Sequence, residues 1–565
     1  MVKSLRPLIF LVLLVLLAGG VWLWWALPTT VDMAAYAPAD SLVYIEFDNL
    51  ADVAQAIQQS DVWQAAAPII APAPGKSSRI LTTAARAGIG PVETVLLARA
   101  QIALVVVGLN TSEEDNSLKF RPDFAVIAET HTSRWRTKPA VVEAVKRLAD
   151  FTYGASMCAE RSDNAEFVEC SVAGGERKII GAVEGTLVIV GNSDGAVRNC
   201  LEVRRGIRPS LLTDPEMLKV RSTLATEKTL AFGYVSPANA GRLFSWAAPL
   251  LMRQALGDRQ FEQLLAVSAG KILRGIAWTA TSSPRGIEDR FLFSLEPGIV
   301  SRLQPAFETG QRDENFWKLV PRRFQSLTIY RSKEPATAWT SLDSAMAFKL
   351  DALPAVLFGT LLRSSLSVYG IENPKEALAT LSPPLLTLKP LDSADDSILV
   401  ARVVDEAKLR ESLARELFRG ARGEILQGLE SNPDPEKEFT AVFVDGYVLL
   451  GRTENMTSSL AALRMSQARE SDSEEWRQSA AESSAAIVTY SNDEARVNNF
   501  LATLMRLQGR QLSHDEIADL RTAVQHWNLA STETRLSTFG IERTTRSAFG
   551  QFGTFVSLLQ PEAGP

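Results

Sequence analysis

The sequence predicts an α+β protein: two similar domains of mainly antiparallel sheet with packed helices, after one N-terminal transmembrane helix. Three observations carry this. An uncharged apolar run, Leu8–Leu27, lies near the start. Beyond it, short strand patterns joined by tight turns alternate with helical segments, the signature of antiparallel sheet with helices packed on it. About ten of these landmarks then recur in the same order in the second half of the chain.

At about 1.5 Å per residue, a helix over Leu8–Leu27 spans roughly 30 Å, the thickness of a bilayer's hydrocarbon core. Lys3 and Arg6 precede it, and the next basic residue is Lys76. The positive-inside rule then places residues 1–7 in the cytoplasm, residues 8–27 in the membrane and the rest outside. Trp22, Trp24 and Trp25 sit at the far end, where indoles favour the headgroup region. Pro28 closes the run. A cleaved signal peptide, with Ala18-Gly19-Gly20 near the cut, is the competing reading. The apolar VWLWWAL that follows argues for a retained anchor, and the absence of a nearby cysteine excludes a bacterial lipoprotein. The expected location is the inner membrane, single-pass, with the bulk of the chain periplasmic or extracytoplasmic.

The remainder is too long for one ordinary core and suits two domains. With Lys3 and Arg6 set aside, 57 basic residues face 65 acidic ones. That balance argues against a nucleic-acid partner, which needs a basic face. Three cysteines are few for an exported protein, so disulfides are not its framework. Cys158 and Cys170 flank the polar stretch AERSDNAEFVE and either staple a hairpin or stay as two buried thiols. Cys200 falls in a helical run and is expected to be free.

In order, Ala37-Pro38-Ala39-Asp40 is turn chemistry. The strand Ser41–Phe47 follows, with Val43, Ile45 and Phe47 on one face and Tyr44 and Glu46 on the other. Asn49–Gln58 reads as a helix, and Ser60-Asp61 as the cap of the next. Gly88–Pro91 is a turn before the strand Ile102–Leu109. Thr111–Pro122 reads as a polar, mobile loop. The strand Phe124–Glu129 and a helix near Ala140–Ala149 come next, then strands at Phe167–Val172, Lys178–Val183 and Thr186–Val190, the last two joined by Glu184-Gly185. A helix follows at Gly195–Val203, and Thr213-Asp214-Pro215-Glu216 starts another. Leu230–Val235, Gly275–Thr281 and Asp289–Leu295 are the closing strands. The first domain spans 37–297, a connecting segment 298–321, and the second, similar domain 322–560.

The second half repeats the plan. Ser326–Tyr330 matches the first strand. Gly370-Ile371 with Pro374 matches Gly88-Ile89 with Pro91. Leu385–Leu391 and Ile398–Val404 are strands, and Glu406–Leu417 is a helix. The hairpin Phe439–Leu450 turns at Asp445-Gly446. Ser471–Ser473 caps a helix, Ala486–Tyr490 is a strand with a helix after it, and Leu536–Arg543 and Phe549–Leu558 form a closing pair of strands. From Ala37-Pro38-Ala39-Asp40 through SLVYIEFDNLADV, with the Gly88-Ile89 and Gly370-Ile371 turns, the chain resembles a bacterial family of uncharacterised membrane-anchored extracytoplasmic proteins. The resemblance implies an envelope location and brings no catalytic residue, cofactor or activity.

Gly191-Asn192-Ser193-Asp194-Gly195 is a G-x-S-x-G between strand and helix, the context of a nucleophile elbow. Its strand reads as one arm of a tight hairpin, and the second half keeps the turn at Gly451-Arg452-Thr453-Glu454-Asn455 without the serine. Capping by Ser193 or Asp194 is therefore the expected role. His131, His514 and His526 are far apart and make no metal pattern. Glu46 and Asp48 share a strand face and are expected to be solvated. His131–Lys138 reads as a solvated basic loop, and Arg322-Arg323-Phe324 as a strand lead-in. The apolar runs Leu243–Leu256 and Ala345–Leu362 are expected to cover a sheet. No catalytic, cofactor-binding or metal residue is assigned. The reading is a non-catalytic, anchored envelope protein that binds or scaffolds a protein or lipid partner, with a carrier of a hydrophobic ligand and an envelope hydrolase as alternatives.

Overall fold

Tight hairpins set the architecture. At Asp445-Gly446 both residues have positive φ, 48° and 79°, and Gly185 has φ 67°. These are the backbone angles that let a two-residue turn reverse a right-twisted strand, and glycine adopts them without a Cβ clash. The computed structural model describes residues 30–47, 49–70, 100–114, 117–131, 134–153, 157–162, 165–171, 177–243, 270–311, 313, 315–321, 323–391, 397–413, 424–426, 429–433, 439–467, 475–507, 513–524 and 529–558. The expected anchor Leu8–Leu27, the turn Gly88–Pro91, nearly all of Leu243–Leu256 and the cap Ser471–Ser473 lie outside them. Among the described residues no helix is long and apolar enough to cross a membrane. The chain is α+β, built on extensive antiparallel sheet.

The strands are β1 (Val43–Phe47), β2 (Gln101–Glu114), β3 (Ser117–Glu129), β4 (Met157–Ser162), β5 (Glu166–Ser171), β6 (Lys178–Glu184), β7 (Leu187–Gly191), β8 (Thr229–Val235), β9 (Leu273–Ser283) and β10 (Gly286–Leu295). They continue as β11 (Ser326–Tyr330), β12 (Leu381–Lys389), β13 (Ile398–Val403), β14 (Glu424–Leu426), β15 (Leu429–Pro433), β16 (Phe439–Val444), β17 (Tyr447–Arg452), β18 (Ile487–Asn492), β19 (Leu529–Ser537) and β20 (Gly540–Ser547).

The chain divides into two compact units. One comprises the described parts of Met1–Ala39, Glu46–Ala51 and Ala87–Asp214. Its strands run β2-β3-β7-β6-β5-β4, every neighbour antiparallel. The helix Arg134–Tyr153 lies on β5 and β6, presenting Val141, Val145 and Ala149 at four-residue spacing to Val168, Ile179 and Val183. The approach is close: a Cβ on Gly181 of β6 would sit 2.8 Å from Val145.

The other unit comprises the described parts of Asp40–Ile45, Asp52–Arg86 and Pro215–Pro565. There β1 lies beside β8. The order continues β9-β10-β20-β19-β18-β11-β12-β13-β17-β16-β15-β14, all antiparallel. Two similar turns stand out. Ser283 donates its hydroxyl to Gly286 carbonyl at 3.1 Å, and Ser537 does the same to Gly540 at 3.1 Å.

Several expectations need correcting. Thr111–Pro122 is not a loop, because β2 and β3 pair through Glu114 and Ser117. Polar residues fill this ribbon, and composition alone hid its register. Of the two readings held for Cys158 and Cys170, the hairpin is the one present, as β4 and β5. His131–Lys138 is mostly helix, since the helix starts at Arg134 and carries Pro139 inside it. Leu536–Arg543 spans a hairpin turn between β19 and β20. Phe549–Leu558 is not a strand but the helix Gly550–Leu558. Phe549, Phe552 and Phe555 recur every three residues, a helical spacing, and Ser547 caps the start by accepting from Gly550 N–H at 3.1 Å. The run Ala345–Leu362 belongs to two helices, Pro335–Ala347 and Ala352–Ser367.

In β4 and β5 the register sets Cys158 opposite Cys170, with Cα atoms 4.1 Å apart, and the two form a disulfide. So short a separation marks a non-hydrogen-bonded pair of the ladder. Cys200 is buried, which pushes its thiol up to about 12. We expect non-reducing peptide mapping to recover Cys158 linked to Cys170, with Cys200 alkylated only after denaturation. Replacing both linked cysteines by serine should cost about 2–3 kcal/mol in chemical denaturation.

Candidate functional site

The G-x-S-x-G turn resolves into a helix start. Ser193 has extended backbone and its Oγ accepts from Ala196 N–H at 3.2 Å, capping the helix Asp194–Arg204. Asp194 sits in the first turn, where a carboxylate meets the positive end of the helix, and it pairs with Arg198. Asn192 is fixed against β3, accepting from Phe124 N–H at 2.9 Å and donating to Pro122 carbonyl at 2.7 Å. The strand before the turn, β7, lies between β3 and β6 and is antiparallel to both. An elbow nucleophile instead stands at the end of a parallel strand.

The other sequence candidates also take structural places. His131 has φ 50°, and its amide N–H donates to Glu129 at 3.2 Å. His514 opens the helix His514–Val524 behind a capping box. In that box Ser513 accepts from Glu516 N–H at 3.2 Å, and Glu516 accepts from Ser513 N–H at 2.8 Å. His526 and Asp48 lie outside the described residues. Glu46 was expected to face solvent, yet it is buried, as is Tyr44, while Val43, Ile45 and Phe47 are half-buried. Alternation told the two faces of β1 apart but not which is the inner one. Phe324 is buried in the core with Leu327 and Trp476. Asp313 accepts from Tyr447 Oη at 2.6 Å and lies 3.7 Å from Arg402. Burial and the neighbouring Asp313 push Tyr447 above the usual tyrosine range.

Sequence reasoning missed the buried carboxylates beneath the helix Gly550–Leu558. Asp289 is 1% exposed. One of its oxygens accepts from Trp278 Nε1 at 2.8 Å, the other from Gln551 N–H at 3.0 Å. Trp278 packs against Phe291, Phe552 and Phe555. Nearby, Asp493 is buried and pairs with Arg496 at 3.2 Å. Burial pushes Asp289 up to about 6, against the pull of Trp278, Gln551 and Arg496 and with a push from Glu288. Burial also raises Asp493 to about 6, again opposed by Arg496. A signal was present: Ile287, Asp289, Phe291 and Phe293 alternate along one face of β10, and a carboxylate in an apolar face needs partners. Such a raised acid is a usual mark of a reactive site. Here both Asp289 oxygens are taken, and the contacts tie a helix start to the sheet.

Among the described residues no group of three or more His, Cys, Asp or Glu is placed to hold a metal ion. The unit carrying β2–β7 has a cavity of about 160 Å³ between the helix Arg134–Tyr153 and the β4–β5 hairpin. No protein-family model, curated protein or solved structure matches the chain.

We expect Ser193→Ala to lower stability by about 1 kcal/mol through the lost cap, read by urea denaturation, and to leave any turnover of ester substrates unchanged. Asp289 carries a second expectation. A carboxyl raised in the folded state contributes its stability fully below its unfolded value of 3.8 and loses it as pH rises through about 6. Asp289→Asn removes this linkage. The loss of unfolding free energy between pH 4 and pH 7, read by urea denaturation, should shrink in the variant by an amount on the order of 2–3 kcal/mol.

Proposed function

We propose that this is an anchored, non-catalytic protein of the bacterial envelope whose duplicated extracytoplasmic region binds a protein partner. The observation that carries the reading is a repeated strand order. The order β2-β3-β7-β6-β5-β4 is matched by β12-β13-β17-β16-β15-β14. Likewise β1-β8-β9-β10 is matched by β11-β18-β19-β20. The Gly185 and Gly446 turns and the Ser283 and Ser537 turns fall at equivalent places. Two copies of one plan would produce this agreement.

The reactive side chains do not follow the frame. Aligned on Gly286 and Gly540, Trp278 corresponds to Thr532 and Asp289 to Arg543; aligned on Gly191 and Gly451, Ser193 corresponds to Thr453. A kept frame with unlike chemistry supports recognition over catalysis. The Cys158–Cys170 disulfide supports export, since such bonds persist in oxidising compartments. Leu8–Leu27 and the resemblance to membrane-anchored proteins support the envelope.

Each copy also ends in comparable strands. Among the described residues β4 has β5 as its one strand partner, and β14 has β15. An edge strand offers its outer backbone groups to an added strand. Equivalent edges in the two copies would receive extended segments of the partner.

In-cell photo-crosslinking tests this, with the crosslinking residue placed at Glu160 of β4 or Ile425 of β14 in the full-length protein. A discrete protein adduct from both positions, and none from the exposed Ile517 on the helix His514–Val524, is expected. Lipid adducts without a protein would move the reading to a lipid carrier, and self-adducts alone would overturn it.

A further inference from the structure

The cavity under the β4–β5 hairpin separates apolar from charged surface. Its floor is Val142 of the helix, Phe167 and Val168 of β5 and Val183 of β6. Its rim carries Lys138, Glu160, Arg161 and Glu166. The rim charges are already matched. Lys138 Nζ lies 3.2 Å from Glu166, and Glu160 lies 3.7 Å from Lys146. Arg161 lies 3.8 Å from Asp194 and rests over the Phe167 ring at 5.1 Å.

We infer that this cavity binds a free α-amino acid with a short aliphatic side chain, its side chain on the apolar floor and its two charges exchanged into the Lys138–Glu166 ion pair. Size sets the first limit. A volume of 160 Å³ is close to that of a cavity that takes a benzene-sized molecule, about 150 Å³. Valine or leucine fits that scale, and tryptophan exceeds it. Charge sets the second. Lys138 is 43% exposed and can turn its ammonium toward an incoming carboxylate, while Glu166, 20% exposed, stays against the floor. A zwitterion entering between them gives its carboxylate to Lys138 and its ammonium to Glu166, and every charge stays matched. A ligand with one charge takes one partner and strands the other beside an apolar floor, which is unfavourable. The site therefore selects for both charges on one small molecule, with a few placed polar groups around an apolar pocket as in small-molecule sites generally. The inference does not depend on the anchored-scaffold reading.

Equilibrium dialysis of the detergent-solubilised full-length protein against radiolabelled L-valine tests it. Saturable binding to one site is expected. Isovalerate and isobutylamine, each with one of the two charges, should compete at least about tenfold more weakly, a difference of about 1.4 kcal/mol, and L-tryptophan should not compete. Val142→Phe fills the floor and should abolish binding with the melting temperature kept. Lys138→Met and Glu166→Gln each act on a partly exposed side chain and should weaken binding at least about tenfold, which decides the matter if Val142→Phe fails to fold. No saturable valine binding at millimolar concentration, equal binding of the single-charge analogues, or undiminished binding by both rim variants would overturn the inference.

Discussion

The need of every strand for a hydrogen-bonded neighbour is the constraint on which the rest of this structure depends. A buried backbone N–H or C=O without a partner costs as much as a lost hydrogen bond. Antiparallel pairing through short turns is the cheapest way to avoid that. In the unit holding β8–β20 the order runs unbroken from β8 to β14, so every strand between those two has a partner on each side. Helices then take the faces. Val497, Phe500 and Leu501 of the helix Glu494–Leu507 share a core with Phe549 and with Val62 and Ala66 of Asp61–Ile70.

Polar chemistry inside such a layered fold serves the joints. Where the helix Gly550–Leu558 leaves β20, its start must be satisfied. Ser547 takes Gly550 N–H and Asp289 takes Gln551 N–H, so a carboxylate from β10 completes the cap of a helix far along the chain. The Trp278 indole closes the remaining oxygen. Across the same strands, Arg290 pairs with Glu542 and Arg546 with Glu288. These exposed or half-buried pairs fix register more than they add stability.

Most strands were legible because their turns carry a local signature. Glu184-Gly185 and Asp445-Gly446 located two hairpins from the sequence, and Pro215 marked a helix start. Failures came where the signal was tertiary. The outer parts of β2 and β3 are polar along much of their length, and pairing with each other, not hydrophobicity, makes them strands. Gly550–Leu558 was hidden by its phenylalanines, threonine and valine, which suit a strand by composition and a helix only by spacing. Tyr44 and Glu46 fell on the buried face of β1 because alternation separates two faces without saying which one the core will take. Of the polar residues now in view, Asp289 was readable in principle from its place between Ile287 and Phe291. The cavity was not, since Lys138 and Glu166 meet only when the helix Arg134–Tyr153 lies on β5.

The placement of the disulfide bears on what β4 can do. An edge strand paired on one side has half the backbone restraint of an inner one, and ordering it on binding costs entropy. Cys158 sits at the start of β4 and is covalently held to Cys170 of β5, whose side chain is fully buried against Val168 and Ile179. That tie fixes β4 to the core from the end away from the cavity. Glu160 and Arg161, which line the cavity rim, follow two and three residues later on the same strand. The restraint on Cys158 therefore reaches the rim through two residues of ladder, and the wall stands in place before any ligand or partner arrives. A site on a pre-ordered edge keeps more of its contact energy as affinity, which is why one disulfide in an otherwise cysteine-poor chain falls on this hairpin to such effect.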